Sequence, residues 1–271
     1  MALNNLSDLK KICWKETENV WYAKYVIRHI SIRITRLLLP TGISANQATL
    51  IAIMIGIFAC FLIGTGSIVY SIFGVALLQL SYIFDCVDGE IARYRKESSV
   101  NGIFIDFMAH EVLIPFSFFA LSFFIYLNTS ELSILVLGVL AGWASTSPMG
   151  KAKGNVLLSL LEKSYLPFYN YSNLSGGLKS KKDNSNKKSY FSRFIFTPFY
   201  YPGSMNIISV MTLLYFHYPS LVMISAQLYF SFHILLQIYL PIKWHRNGSV
   251  EKDFLKLREN AVKNYKDQST K

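Results

Sequence analysis

The chain has 271 residues, of which 52% are hydrophobic, 15% aromatic and only 16% charged, and its net charge is +11. Soluble domains carry about 25% charged residues. Here the apolar residues gather in blocks of about 20, the helix length that crosses about 30 Å of hydrocarbon. These figures argue against a soluble single-domain enzyme, a disordered chain, a collagen and a secreted disulfide scaffold. A transmembrane barrel is disfavoured because its strands would alternate apolar and polar residues. Cys13, Cys60 and Cys86 are far apart and show no metal-ligand spacing.

In chain order, the first 45 residues are polar and basic, with no cleavable leader expected; the first apolar block starts near Ala48. Residues 19–39 have the pattern of an amphipathic helix lying on a membrane surface. At about 100° per residue, Val26, Ile27, Ile30, Ile34, Leu37 and Leu38 share one arc. Lys24, Arg28, Arg33 and Arg36 take the opposite half, and Trp21, Tyr22 and Tyr25 suit the headgroup layer. Pro40 and Gly42 end the helix.

Six spans are predicted, at roughly 47–67, 69–92, 101–127, 131–152, 203–218 and 220–242, of which the fifth is short. All 27 lysines and arginines fall before the first span, after the second, after the fourth or after the sixth. The three other connections, near Thr65–Ser67, Asn128–Glu131 and His217–Pro219, hold none. Six spans with both termini inside therefore place every basic residue on one side, the positive-inside pattern. The expected organisation is a cytoplasmic N-terminal segment over 1–45 with the interfacial helix. A six-helix membrane domain follows over 46–242, with a cytoplasmic loop at about 153–202, and then a charged cytoplasmic tail over 243–271. The positive charge becomes a cytoplasmic rim facing anionic lipid, and no nucleic-acid partner is expected.

Charges inside apolar spans are costly and mark function. The second span ends in Asp85-Cys86-Val87-Asp88-Gly89-Glu90-Ile91-Ala92-Arg93, and the third opens with Gly102 and carries Asp106 and His110. Asp85 and Asp88 share a helix face, as do Asp106 and His110. The short connection 94–99 predicts antiparallel neighbouring helices. Asp85 and Asp106 then lie at similar depth, roughly 12 Å from the cytoplasmic end. Three carboxylates at one depth in low dielectric require protons or cations to neutralise them. Hard oxygen ligands beside a polyphosphate suit Mg²⁺ or Mn²⁺. Gly89, Ala92 and Gly102 keep bulk away, leaving room either for a ligand or for helix packing.

Other readings of single features stand beside this one. The carboxylates could form a structural ion cluster with Arg93 or Arg95, or line a cation path. Lys151 and Lys153, at the cytoplasmic end of the fourth span, either meet an anionic acceptor or only snorkel. Gly138 and Gly142 form either a dimer seam or an internal helix contact. His233 is read as core, and His217 as an interfacial residue.

The motif D-x2-D-G-x2-A-R-x8-G-x3-D-x3-D belongs to the CDP-alcohol phosphotransferases. This chain resembles that family through Asp85, Asp88, Gly89, Ala92, Arg93, Gly102 and Asp106, each at the family's spacing, with His110 where the last aspartate stands. Residues 41–50 are similar to the family's approach to its first span, with Ala45 where proline is common. The resemblance implies an all-α integral membrane enzyme with six transmembrane helices behind an interfacial helix. It implies transfer of a substituted phosphoryl group from a CDP-alcohol, CDP-diacylglycerol foremost, to an acceptor alcohol, phosphorylated or not, with release of CMP. Asp85, Asp88 and Asp106 would hold a pair of divalent ions, Mg²⁺ or Mn²⁺. Gly89, Ala92, Arg93 and Gly102 would line the cytidine diphosphate site. His110 would act as the base or as a further metal ligand, and Lys151 and Lys153 are candidates for the acceptor. The resemblance further implies a homodimer, phospholipid or envelope glycolipid synthesis, and a bacterial inner membrane with the active site cytoplasmic. His110 keeps open a second expectation, an inactive family member or lipid-binding membrane protein.

Overall fold

The computed structural model describes residues 6–14, 22–97, 100–146, 202–248 and 251–255. Helix α1 is Leu6–Cys13. A π-helical turn, Ala23–Ile27, runs into α2, Arg28–Leu38, and a 3-10 turn, Leu39–Thr41, closes it. The longer helices α3 (Ala45–Gly64), α4 (Ile68–Arg95) and α5 (Val100–Thr129) follow, then α6 (Leu132–Ser145), α7 (Gly203–Leu214) and α8 (Pro219–Arg246). There is no strand among the described residues.

Four helices, α3, α4, α5 and α8, are long and apolar enough to cross a membrane. The other two expected spans appear as shorter apolar helices, α6 with 14 residues and α7 with 12. At 1.5 Å per residue, α6 reaches about 21 Å, less than a hydrocarbon core. Lys151, Lys153, the loop expected at 153–202 up to Tyr201, and the tail beyond Leu255 lie outside the described residues.

The helix ends follow local chemistry. Gly42, at φ +77°, takes the left-handed turn that separates α2 from α3. Ser44 then caps α3: Gln47 N–H donates to Ser44 Oγ at 3.2 Å, and Ser44 N–H donates to Gln47 Oε1 at 2.9 Å. At the far end of α4, Lys96 adopts φ 58°, and Glu97 N–H reaches back to the Ala92 carbonyl at 3.0 Å.

Small residues set the packing. A Cβ on Gly74 would stand 2.8 Å from the Ala59 carbonyl oxygen, so α3 and α4 cross backbone to backbone. Gly138 and Gly142 of α6 pack on Ser122 and Pro115 of α5. This Gly-x3-Gly pair is therefore an internal seam. Helix α3 leans on both α4 and α5, and Gly56 faces Leu113 of α5 and Ser81 of α4 at once. The expectation that α4 and α5 are neighbours holds at the level of side chains, since Asp85 of α4 stands 3.3 Å from His110 of α5. Most of the backbone packing of each is nonetheless on α3.

His233 is fully buried, with its ring centroid 4.8 Å from that of Phe118, as a core residue. Outward faces carry Phe61, Trp143 and Leu228, each about two-thirds exposed. Such a surface suits a lipid solvent.

The register of α2 also differs from expectation. Ile27, Ser31, Ile32 and Thr35 are buried, and Arg28 is buried with them, while Ile30 and Leu37 face outward. Arg28 does not share the exposed half with Lys24, Arg33 and Arg36. A partner on α4 draws it inward, as described next.

Candidate functional site

The C-terminal half of α4 carries four charged side chains aimed at four different elements, because successive positions rotate by about 100°. Asp88 turns to α3, where Thr49 Oγ1 donates to its Oδ2 at 2.6 Å. Asp85 turns to α5, with its Oδ1 3.3 Å from His110 Nε2. Glu90 turns to α2. Its Oε1 accepts from Ser31 Oγ at 2.7 Å and from the Arg28 guanidinium at 3.3 Å, and its Oε2 accepts from Thr35 Oγ1 at 2.7 Å. Arg93 turns to α1, and its Nε donates to the Cys13 carbonyl at 2.6 Å.

On α5, Asp106 and His110 stand one turn apart, and His110 Nε2 lies 3.7 Å from Asp106 Oδ1. One ligand atom each from Asp85, Asp106 and His110 falls within 4.8 Å of the other two. Two ligands on one ion at about 2.1 Å stand about 3.0 to 4.2 Å apart, depending on the angle between them. The three atoms therefore meet a divalent cation after sub-ångström adjustments. The side chains are graded in exposure, with Asp85 17%, His110 32% and Asp106 50% exposed, so the cluster opens on the α5 side. Asp88 is 7% exposed. Its ligand atoms lie outside the three-residue group.

Among the expected donor-binding positions, Gly89 and Arg93 are side by side: a Cβ on Gly89 would approach Arg93 Nη1 to 3.0 Å. Ala92 and Gly102 are half-buried. Arg93 Nε and Arg95 Nη2 donate to the backbone carbonyls of Cys13 and Leu39. These bonds give no support to a structural ion cluster built on those two arginines.

Several contributors are not evident from the motif. Thr49 sits in an apolar span, and its hydroxyl also bonds the Ala45 carbonyl, a local use that gives no hint of Asp88. Glu90 occupies a free position of the motif, yet it is fully buried and gathers three side chains of α2. Its charge inside an apolar run was the available signal, and the buried face of α2 (Arg28, Ser31, Thr35) is its counterpart. Near it, burial above all, with help from the Glu90 carboxylate, pushes the Cys13 thiol up to about 11.

No curated protein matches the chain by sequence. The model of the CDP-alcohol phosphatidyltransferase family does match it, over residues 42–156. That stretch runs from the turn before α3 past the end of α6 and holds Thr49 and the whole Asp85–Asp88–Asp106–His110 cluster. Over residues 42–156, the chain thus resembles the CDP-alcohol phosphatidyltransferases.

Proposed function

We propose that this protein is a membrane transferase that moves a substituted phosphoryl group, foremost phosphatidyl, from a CDP-alcohol to the hydroxyl of an acceptor alcohol. The observation that carries the reading is the convergence of Asp85, Asp106 and His110 inside the family-matched stretch. The acceptor oxygen forms a bond to the phosphorus distal to cytidine. The bond from that phosphorus to the bridging oxygen breaks, CMP leaves with the electron pair, and the hydroxyl proton passes to a base.

Asp85, Asp88 and Asp106 hold the divalent ions, with His110 either ligating or accepting the acceptor's proton at Nε2. Bound divalent cations, Mg²⁺ or Mn²⁺, supply positive charge to the pyrophosphate and to the attacking and leaving oxygens. Thr49 fixes Asp88 by its hydrogen bond. Gly89, Ala92, Arg93 and Gly102 bind the cytidine diphosphate, with Arg93 meeting phosphate charge. Lys151 and Lys153 meet an anionic acceptor. We count α6 and α7 as short spans, giving six crossings with α2 along the cytoplasmic surface and both termini inside. Two copies form a homodimer in a bacterial inner membrane, serving phospholipid or envelope glycolipid synthesis.

The test is CMP release by the detergent-solubilised protein, with CDP-diacylglycerol and smaller CDP-alcohols offered against a panel of alcohols and Mg²⁺ or Mn²⁺ present. Acceptor-dependent CMP that is absent in Asp88→Asn supports the reading and names the alcohol. Full activity of Asp88→Asn would sink it. Activity that appears only on His110→Asp would make the natural chain an inactive homologue.

A further inference from the structure

The cluster brings together two carboxylates and one imidazole, whose nitrogen approaches both carboxylates. His110 Nε2 is 3.3 Å from Asp85 Oδ1 and 3.7 Å from Asp106 Oδ1, and all three ligand atoms fit within one ion's reach. Helical spacing presents Asp106 and His110 on the same face of α5, and Asp85 closes the group from α4. We propose that His110 is a nitrogen ligand that tunes this site toward Mn²⁺ and the later divalent metals and away from Mg²⁺. This rests on the transferase reading of the same cluster and decides one of its details.

Ligand chemistry favours this selectivity. Mg²⁺ is a hard ion that wants oxygen at 2.0–2.1 Å in a strict octahedron, and it keeps its waters. Imidazole is a softer donor, and the affinity of a nitrogen-containing site rises along the first-row divalent metals. Charge acts in the same direction. With Asp88, the site has three carboxylates and a neutral imidazole; a fourth carboxylate at position 110 would add the point charge on which a hard ion depends. The exposure gradient leaves room for water or a phosphate oxygen on the Asp106 side to complete the coordination.

The experiment uses full-length protein in detergent, prepared with ¹⁴N- or ¹⁵N-histidine, and reads bound Mn²⁺ by pulsed electron paramagnetic resonance. The expected result is a directly coordinated nitrogen whose modulation changes with the histidine isotope and vanishes in His110→Gln. In the same samples, the Mg²⁺ needed to displace half of the Mn²⁺ should fall about tenfold in His110→Asp. Mn²⁺ bound without histidine-nitrogen coupling, or with coupling that survives His110→Gln, would overturn the inference while leaving the metal site intact. An unchanged Mg²⁺ requirement in a folded His110→Asp would overturn the selectivity. Native protein that binds no more Mn²⁺ than Asp85→Asn would remove both the inference and the metal-dependent reading beneath it. The isotope comparison on the natural chain needs no variant to fold.

Discussion

Thr49 holds one oxygen of Asp88 at 2.6 Å, leaving that carboxylate a fixed orientation in a site where charge is otherwise costly to confine. Hydrogen bonds that orient metal-site carboxylates are typically worth about 10- to 100-fold in affinity or activity. Thr49→Val should therefore lower kcat/KM by about that factor, and Thr49→Ser should restore most of it. Equal activity in Thr49→Val would show that Asp88 needs no such support. Cys13 offers a second reading at this scale. Its raised pKa means that the folded state favours the neutral thiol, so its contribution to stability is present below the ordinary value of 9.0 and fades as pH rises through about 11. In a background lacking Cys60 and Cys86, Cys13 should resist maleimide at pH 8 in the native fold. It should react once Ile32→Asp undocks α1, because Leu9, Cys13 and Ile32 share one small core. Rapid labelling of the native protein would contradict a docked α1. The meeting of Asp85, Asp106 and His110 was legible from helical spacing and the short 94–99 connection, whereas Asp88, expected beside them, turns to Thr49 instead. The bond from Thr49 was not legible, because its partner lies 39 residues away, across a contact set by the Gly74 crossing of α3 and α4.

The contact between α2 and α4 is polar and buried: Glu90 is fully enclosed, with Arg28, Ser31 and Thr35 around it. Removing one member of such a group leaves the others desolvated, at a cost of about 3 kcal/mol or more. Glu90→Leu should lower the unfolding temperature in detergent markedly, and adding Arg28→Leu should recover part of the loss, since the stranded charge is gone. Equal stability of Glu90→Leu and native protein would mean that α2 is not held there. Helical periodicity predicted a helix near 19–39, and helical turns run from Ala23 to Leu38, but it misassigned Arg28, since a basic residue is read as exposed until its acid is located. The short 94–99 connection did indicate that α4 and α5 meet, as Asp85 and His110 do, but not that α3 takes most of the packing of both.

At the scale of the whole chain, the apolar blocks gave the all-helical membrane architecture directly, and four helices carry the full length for it. The two shorter ones, α6 and α7, are apolar helices of 14 and 12 residues among the described residues. What length and charge cannot encode is how α1, α2, α3 and α5 each grip one side of the same stretch of α4. Asp85, Asp88, Glu90 and Arg93 reach four partners within nine residues, so the acidic cluster and the docking of the N-terminal helices share one structural support. The account stands on that cluster holding a divalent cation during transfer. Its most direct test is CMP release from metal-stripped protein, titrated with Mn²⁺ or Mg²⁺, for the native chain and Asp106→Asn. The expected result is no release without metal, recovery on its return, and a metal requirement raised by about 10-fold or more in Asp106→Asn. Release that persists after chelation, or identical metal curves for the two proteins, would contradict it.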